Sequence, residues 1–345
     1  AGADSGLINA LEHVPFEPAQ SLYEGMVCWN FIYYIDGCDD PGAIDAPLYE
    51  LYKGEDITAV IEEFYDNVEA NNGWSSAIGP ECNELTRQCL KAIKGRRRPS
   101  LEFRVTPQTP KWAWEEAAEA LASGSGQPAF YNEELHQEGL HKKFPGIPKE
   151  DLLRFNGGGC TETMLAGISN VGSLDAGINL ALIFSNCMRS ELKGCSSFEQ
   201  FYQALLEASK QEILVTLDQV SEYQKNREEC RPNPVRSLLI DDCIDNQSDF
   251  NSKGARYYWS VVNVAGLINV IDSLLAIREW VFVNKKYNAE EFICLLDEQN
   301  EGFLSDMKRS PCYGVDDSSA DRLAARFAQE SRIVAMSFCG PRSCS

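Results

Sequence analysis

One short run of the sequence combines three consecutive glycines with a thiol and a carboxylate: Phe155-Asn-Gly-Gly-Gly-Cys-Thr-Glu-Thr163. Glycine permits backbone paths and close approaches that other residues exclude, so the run predicts a tight loop that carries Cys160. If the backbone is extended there, side chains two positions apart project to the same side, and Cys160 and Glu162 face one cavity. A thiol beside a carboxylate can break a bond at carbon with assisted proton transfer. The same glycines also suit close packing of neighbouring segments, and spacing alone leaves both interpretations open.

The elements that position this run are predicted from apolar periodicity and from proline and glycine punctuation. Apolar residues at helical spacing predict helices over residues 15–35, 55–70, 112–123, 149–155, 176–188, 197–225, 257–283, 289–301 and 321–338. Extended segments are predicted at 100–105, 129–131 and 235–240, and a loop at 156–160. Short strands that alternate with long helices favour an α/β barrel or a layered α/β architecture.

Composition excludes several classes of function. The chain has 345 residues, and its 31 Lys and Arg against 52 Asp and Glu give a formal net charge of -21. This acidity disfavours binding to phosphate backbones or anionic lipid, so neither nucleic acid nor a membrane surface is an expected partner. The sequence shows no basic leader and no apolar run of transmembrane length.

The cysteines do not form a recognisable framework. Thirteen are scattered through the chain, an odd number that favours reduced thiols and a cytoplasmic location over disulfides. No C-x2-C pair occurs and the chain has only three histidines, so no metal site is predicted. Cys339 and Cys344 near the end of the chain are interpreted as incidental.

The segment Gly159-Cys160-Thr161-Glu162 resembles the G-C-x-E thiyl-radical loop of the glycyl radical enzymes, the pyruvate formate-lyase superfamily. Further blocks resemble those of the family and occur in the same order within residues 15–330: Gly124-Ser-Gly-Gln-Pro-Ala-Phe-Tyr-Asn132, Cys243-Ile-Asp245, Gly254-Ala-Arg-Tyr257, Gly266-Leu-Ile-Asn-Val-Ile-Asp-Ser-Leu-Leu-Ala-Ile277 and Tyr313-Gly-Val-Asp-Asp317.

The resemblance implies an α/β fold: a partial or shortened, helix-rich form of the family's ten-stranded β/α barrel, with the cysteine on a central loop. It implies that Cys160 is the thiyl residue, that Glu162 is the acid or base that moves a proton, and that Asp175 binds substrate. Asp175 could instead cap a helix beginning at Ala176. No bound cofactor is implied. The radical would be an organic glycyl radical, made by an S-adenosylmethionine radical activating enzyme, and the partners would be that enzyme and a small-molecule substrate.

Two departures from the family pattern refine these expectations. Residue 159 is glycine where the formate-lyase branch has an adjacent cysteine, so the dehydratase and decarboxylase branch is favoured. The family's R-V-x-G-Y radical motif does not follow Asp321, and Gly340 stands before proline without the flanking pattern. We therefore expect a barrel core shortened at its N-terminus over residues 1–330 as one domain, a tail over 331–345 without the radical motif, and a radical glycine supplied in trans if the chain is active.

Three functions remain open from the sequence. The leading hypothesis is a radical lyase or dehydratase that cleaves C–O, C–N or C–C bonds through the Cys160 thiyl. One alternative is a formate C-acetyltransferase that uses a single thiol. The other is a non-catalytic or truncated family member that acts as a binding protein. The sequence fixes neither the substrate nor the oligomeric state, and a homodimer is one assembly open to the chain.

Overall fold

The computed structural model describes residues 5–38, 40–158, 162–315 and 318–337. The helices are α1 (Ser5–Leu11), α2 (Leu22–Asp36), α3 (Asp45–Leu48), α4 (Thr58–Ala70), α5 (Glu84–Ala92), α6 (Lys111–Ala122), α7 (Glu133–Lys143), α8 (Lys149–Leu152), α9 (Leu180–Glu191), α10 (Phe198–Cys230), α11 (Pro234–Leu239), α12 (Leu267–Ile277), α13 (Ala289–Asp297), α14 (Glu301–Met307) and α15 (Ser318–Ser337). The strands are β1 (Ser75–Ile78), β2 (Ser100–Val105), β3 (Ala129–Asn132), β4 (Phe155–Gly158), β5 (Glu162–Leu165), β6 (Ser169–Asn179) and β7 (Tyr257–Ala265).

The chain divides into two compact units. The first comprises Ala1–Ser173 and Arg231–Tyr258, and the second comprises Leu174–Cys230 and Trp259–Ser345. The boundary crosses both β6 and β7, which pair in a two-stranded sheet. The expected single core over residues 1–330 and tail over 331–345 stay predictions, and residues 338–345 lie outside the described part of the chain.

The first unit is built on a parallel sheet with the strand order β1-β2-β3. Parallel neighbours require crossover connections, which α5 and α6 provide between successive strands. A capping box begins α5, because the Asn83 side chain accepts from the Thr86 amide and the Thr86 side chain accepts from the Asn83 amide. One face of the sheet and helices α2, α4, α5 and α6 form a continuous apolar core. This core fixes the strands whose other face carries the site described below.

The second unit has its own apolar core, formed by α9, α10 and α12 to α15. Helix α10 buries Tyr202, Leu205, Ser209, Ile213 and other residues three or four positions apart. This spacing gives a single buried stripe along one side of a long helix. In the part of the chain that the structure describes, no helix has the length and hydropathy needed to cross a membrane.

Two elements predicted near the glycine run are corrected. Residues 155–158 form strand β4, whereas a helix to residue 155 followed by a loop at 156–160 was expected. The helix predicted over 176–188 begins later, at Leu180, because strand β6 continues to Asn179. The Asn179 side chain accepts from the Leu182 amide, so Asn179 is the helix cap. The interpretation of Asp175 as a cap is therefore wrong.

Two further predictions are corrected by local sequence signals. Residues 235–239 lie in helix α11 and not in a strand, and Ile240 is the residue after the helix end, because Pro234 occupies the first turn and the Asn233 side chain accepts from the Arg236 amide. The helix predicted over 257–283 is strand β7 followed by α12 and a π-helical segment at Arg278–Val283. Aromatic and β-branched residues dominate Tyr257–Val262, which suits a pleated strand.

Candidate active site

The two faces of strand β2 differ in chemistry. Leu101, Phe103 and Val105 point into the apolar core, where α5 and α6 cover them. Because strand side chains alternate, Glu102 and Arg104 share the opposite face. Glu102 is only 1% exposed, so this polar face is turned away from solvent. The sheet therefore places a carboxyl group and a guanidinium side by side in the interior.

Strand β4 packs against this polar face. Arg104 donates through Nη1 to the carbonyl oxygen of Phe155. A Cβ atom added at Gly157 would overlap the Glu102 carboxyl group and would lie 3.0 Å from Cε1 of Tyr131. A Cβ atom added at Gly158 would overlap the Met164 side chain and would lie 3.0 Å from Oδ2 of Asp40. These glycines are needed for close approach.

Strands β4 and β5 form an antiparallel hairpin in which Phe155 is opposite Leu165 and Gly158 is opposite Glu162. Glu162, predicted as the acid or base, begins β5 and is only 2% exposed. Cys160, predicted as the thiyl residue, lies outside the described residues. The expectation that Cys160 and Glu162 face one cavity therefore stays a prediction.

Glu102 is the residue of this face with the most perturbed acidity. Burial, followed by the carboxylates of Asp40 and Glu162, raises the pKa of Glu102 to about 9, against smaller opposing effects of Tyr131 and Arg104. The Tyr131 hydroxyl donates to Oε1 of Glu102 over 3.5 Å, a long hydrogen bond. At neutral pH the Glu102 carboxyl group is therefore protonated. Two neighbouring carboxylates in a region of low dielectric seldom ionise together.

Arg104 is the cation of this face. Its Nε lies 3.3 Å from Oε2 of Glu133, and both side chains are largely buried. Burial lowers the pKa of Arg104, an effect that the carboxylates of Glu133, Asp45 and Glu102 oppose. The guanidinium remains charged at neutral pH because its intrinsic pKa is so high. Arg104 thus forms an ion pair with Glu133 and a hydrogen bond with the backbone of β4.

Asp45 has a structural role nearby. It is fully buried and accepts from the Gly79 amide at 2.8 Å, the Thr86 hydroxyl at 2.7 Å and the Ala46 amide at 2.9 Å. Burial raises the pKa of Asp45 to about 6, and these hydrogen bonds oppose the shift. Three donors satisfy the carboxylate, so Asp45 fixes the end of β1 against α5.

Asp175, predicted to bind substrate, lies in β6 within the second unit. Its carboxylate is 3.2 Å from Nη1 of Arg227 on helix α10, and it accepts from the Ser260 hydroxyl. Gln224 in turn donates to the Ser260 hydroxyl. This chain of contacts ties β6 to α10 and β7. Its role in substrate binding stays a prediction.

Among the described residues, no group of three or more His, Cys, Asp and Glu side chains has an arrangement that could hold a metal ion. The carboxyl groups around Glu102 are therefore not a cation site of that kind. Proton transfer and hydrogen bonding are the chemistry that these side chains offer.

Comparison with known proteins assigns the class. Residues 72–332 match the family model described as pyruvate formate lyase-like, which is well over half of the chain. The chain belongs to this family, and the resemblance stated from its motifs is confirmed.

Relatives and solved structures agree with this assignment. The trans-4-hydroxy-L-proline dehydratase of Clostridioides difficile is 29% identical over 248 residues, 65% of this chain and 30% of that protein. A structure from a study of 1,2-propanediol dehydration in Roseburia inulinivorans aligns with a TM-score of 0.87 and 21% identity, over 99% of this chain and 52% of that one. The B12-independent glycerol dehydratase from Clostridium butyricum, in its glycerol-bound form, aligns with a TM-score of 0.84 and 22% identity, over 94% and 48%.

These structures confirm the predicted fold, a shortened, helix-rich barrel of the pyruvate formate-lyase type. The chain spans about half the length of these solved structures, and its match covers less than a third of the curated relative. The activity and the substrate of the whole protein are therefore proposals.

Sequence reasoning did not identify Glu102. A signal was present, since strand 100–105 alternates apolar with charged residues and Glu102 is the first of the charged positions. Such alternation is ordinarily typical of a strand with one face in solvent. In this fold strand β4 covers that face, which turns the charged positions into a buried site.

Proposed function

We propose that this chain is the thiyl-bearing core of a glycyl radical dehydratase or lyase that acts on a small hydroxylated organic molecule. The observation that carries the proposal is the burial of Glu162 beside the polar face of β2, at the start of the strand that follows Cys160 in sequence. Family membership supports it, since a dehydratase is among the relatives that the chain matches.

The chain's own residues have distinct tasks in this proposal. Cys160, as its thiyl radical, takes a hydrogen atom from a substrate carbon that bears a hydroxyl group and becomes a thiol, while Glu162 accepts the proton of that hydroxyl group. The leaving group departs from the neighbouring carbon as water after Glu162 returns that proton to it, and the Cys160 thiol then gives a hydrogen atom back to the product radical, which restores the thiyl. A glycyl radical, made by an S-adenosylmethionine radical activating enzyme, supplies the one-electron oxidation of the Cys160 thiol. The interior position of Glu162 and Glu102 excludes water, which limits side reactions of a radical site. Asp175 is a second candidate for substrate contact, with Arg227 holding its carboxylate in place.

Two alternatives are less well supported. A formate C-acetyltransferase would have to work with a single thiol, because residue 159 is glycine, and the hydroxyproline and glycerol enzymes reported above are both dehydratases by name. A non-catalytic binding protein would not require a buried acidic residue two positions after the cysteine. The partners of the proposed activity are the activating enzyme and a small-molecule substrate, and the proposed location is the cytoplasm.

The test is anaerobic turnover after incubation with an activating enzyme, S-adenosylmethionine and a separately expressed glycyl-radical domain, with 1,2-propanediol and trans-4-hydroxy-L-proline as probes. We expect no turnover for Cys160→Ser and a loss of roughly 100-fold or more for Glu162→Gln, in line with the usual contribution of a general acid or base. Glu134→Gln, which alters an exposed carboxylate, is the matched control and should retain activity.

Three results would contradict the proposal. Turnover by Cys160→Ser at the level of the unmodified chain would exclude the thiyl mechanism. Absence of a glycyl signal in electron paramagnetic resonance and of any turnover, for every combination of partners, would favour the binding protein. Exchange of labelled formate into pyruvate would instead favour the acetyltransferase.

A further inference from the structure

The buried carboxyl group of Glu102 is not used by the proposed reaction. It is 1% exposed, and its Oε2 has no hydrogen-bond partner among the described residues. Oδ1 of Asn156, on strand β4, is also buried without a hydrogen-bond partner among the described residues. Burying a polar group without compensation lowers stability, so an apolar residue would suit the fold better at position 102.

Glu102 packs against strand β4, which contains Gly157 and Gly158. Its carboxyl group occupies the place that a Gly157 side chain would need, and the Tyr131 ring closes the same space from strand β3. The register places Tyr131 opposite Arg104, two residues along from Glu102 on the same face of the sheet. Glu102 therefore supports the backbone of β4 at Gly157, the first of the glycines that lead to Cys160.

The charges around Glu102 come from every element packed against it. Asp40 approaches from the segment between α2 and α3, Glu162 from β5, and Arg104 from β2 itself, while Tyr131 donates from β3. Asp40 accepts from the Gly42 amide at 2.8 Å. Arg104 pairs with Glu133, while the carboxylates of Asp40 and Glu162 both raise the pKa of Glu102. When two carboxyl groups share such a site, one of them retains its proton.

We propose that Glu102 is a positioning residue for the reaction: its carboxyl group fixes β4 against the sheet and holds a proton beside Glu162, the residue proposed to move the substrate proton. The inference rests on the proposed function for the role of Glu162. The proton on Glu102 and its electrostatic coupling to Glu162 can be measured without turnover.

The experiment is an infrared titration of the unactivated full chain in D2O, which follows the carbonyl stretch of protonated carboxylic acids. The spectra to compare are those of the unmodified chain, Glu102→Gln, Glu162→Gln and the exposed control Glu134→Gln. We expect the unmodified chain minus Glu102→Gln to show an acid band that persists at neutral pH and disappears with a midpoint near 9. In Glu162→Gln the midpoint should fall by about one pH unit or more, because a neighbouring negative charge is removed.

Tyr131→Phe provides a second variant in which Glu102 is intact. The Tyr131 hydroxyl stabilises the ionised form of Glu102, so its removal should move the midpoint upward. If Glu102→Gln does not fold, this upward shift in Tyr131→Phe still tests whether the acid band belongs to Glu102, and an unchanged midpoint would contradict that assignment.

Three results would overturn the inference: no acid band from Glu102 at neutral pH, a midpoint that does not change in Glu162→Gln, or a Glu134→Gln control that changes it equally. None of them would affect the proposed function, which fails independently if the activated chain and its Cys160 variant behave alike.

Discussion

The two faces of strand β2 perform different tasks within six residues. On one face Leu101, Phe103 and Val105 are buried against helices, where each large apolar side chain contributes roughly 1.5–3 kcal/mol. On the other face Glu102 and Arg104 are also withdrawn from water. Burial raises the pKa of Glu102 and lowers the pKa of Arg104, so in both cases it disfavours the charged form. One face therefore holds the fold together, and the other is retained despite its cost to stability. A residue kept at such a cost is a good candidate for function.

The largest expected effect is on the apolar face. Phe103 is fully buried, and Phe103→Ala should lower the free energy of unfolding by about 3–5 kcal/mol through lost burial and the cavity left behind. Urea unfolding measures this value. Phe130→Ala is the control, because Phe130 contacts the Phe103 ring but is 43% exposed. Equal losses for the two variants would contradict the assignment of Phe103 to the core.

The next effect concerns the ion pair on the polar face. Arg104→Met should destabilise the chain by about 3 kcal/mol, because the buried Glu133 carboxylate loses its cation. Adding Glu133→Leu should recover much of this loss, since neither charge is then left unpaired. Urea unfolding of Arg104→Met, Glu133→Leu and the double variant provides the comparison. If the double variant is as unstable as the sum of the single ones, the two side chains do not act as a pair.

A smaller effect is expected at the contact between the polar face and β4. Gly157→Ala should cost about 1–3 kcal/mol, because the new methyl group overlaps the Glu102 carboxyl group. The cost should shrink in a Glu102→Ala background, which vacates that space. Gly177→Ala is the matched control, since Gly177 also lies in a strand but has open space around it. An undiminished cost in the double variant would show that Glu102 does not contact Gly157.

Much of the scaffold around the site could be predicted from local sequence. The strand expected at residues 100–105 is confirmed as β2, and the helix expected over 112–123 is confirmed within one residue as α6. Prolines and glycines mark their ends, so local chemistry is sufficient there. Residues 235–240 show the limit of apolar patterning, since a short apolar run does not reveal its period and Pro234 at the first turn makes it a helix.

Only part of the candidate site could be proposed from the sequence, for a reason that lies in tertiary structure. Glu162 could be proposed from its spacing after Cys160, because both lie in one short run. Glu102 lies far from that run in sequence and joins it only because β4 packs across the inner face of the sheet. Whether a charged residue on an alternating strand faces water or an interior site depends on which element covers it, and spacing carries no information about that.

If the polar face is retained at a cost to stability, that cost must depend on pH, because Glu102 titrates. A glutamate whose pKa is raised in the folded state contributes stability below its unfolded value, near 4.5, and loses it as pH rises toward the folded value, about 9. At neutral pH this corresponds to a cost on the order of 3 kcal/mol, which Glu102→Gln should remove because glutamine does not titrate.

The measurement is the free energy of unfolding of the unmodified chain and of Glu102→Gln from mildly acidic to mildly alkaline pH. We predict that the two curves meet in acid and that Glu102→Gln becomes progressively more stable as pH rises. Parallel curves, or a variant that is less stable at every pH, would contradict the claim.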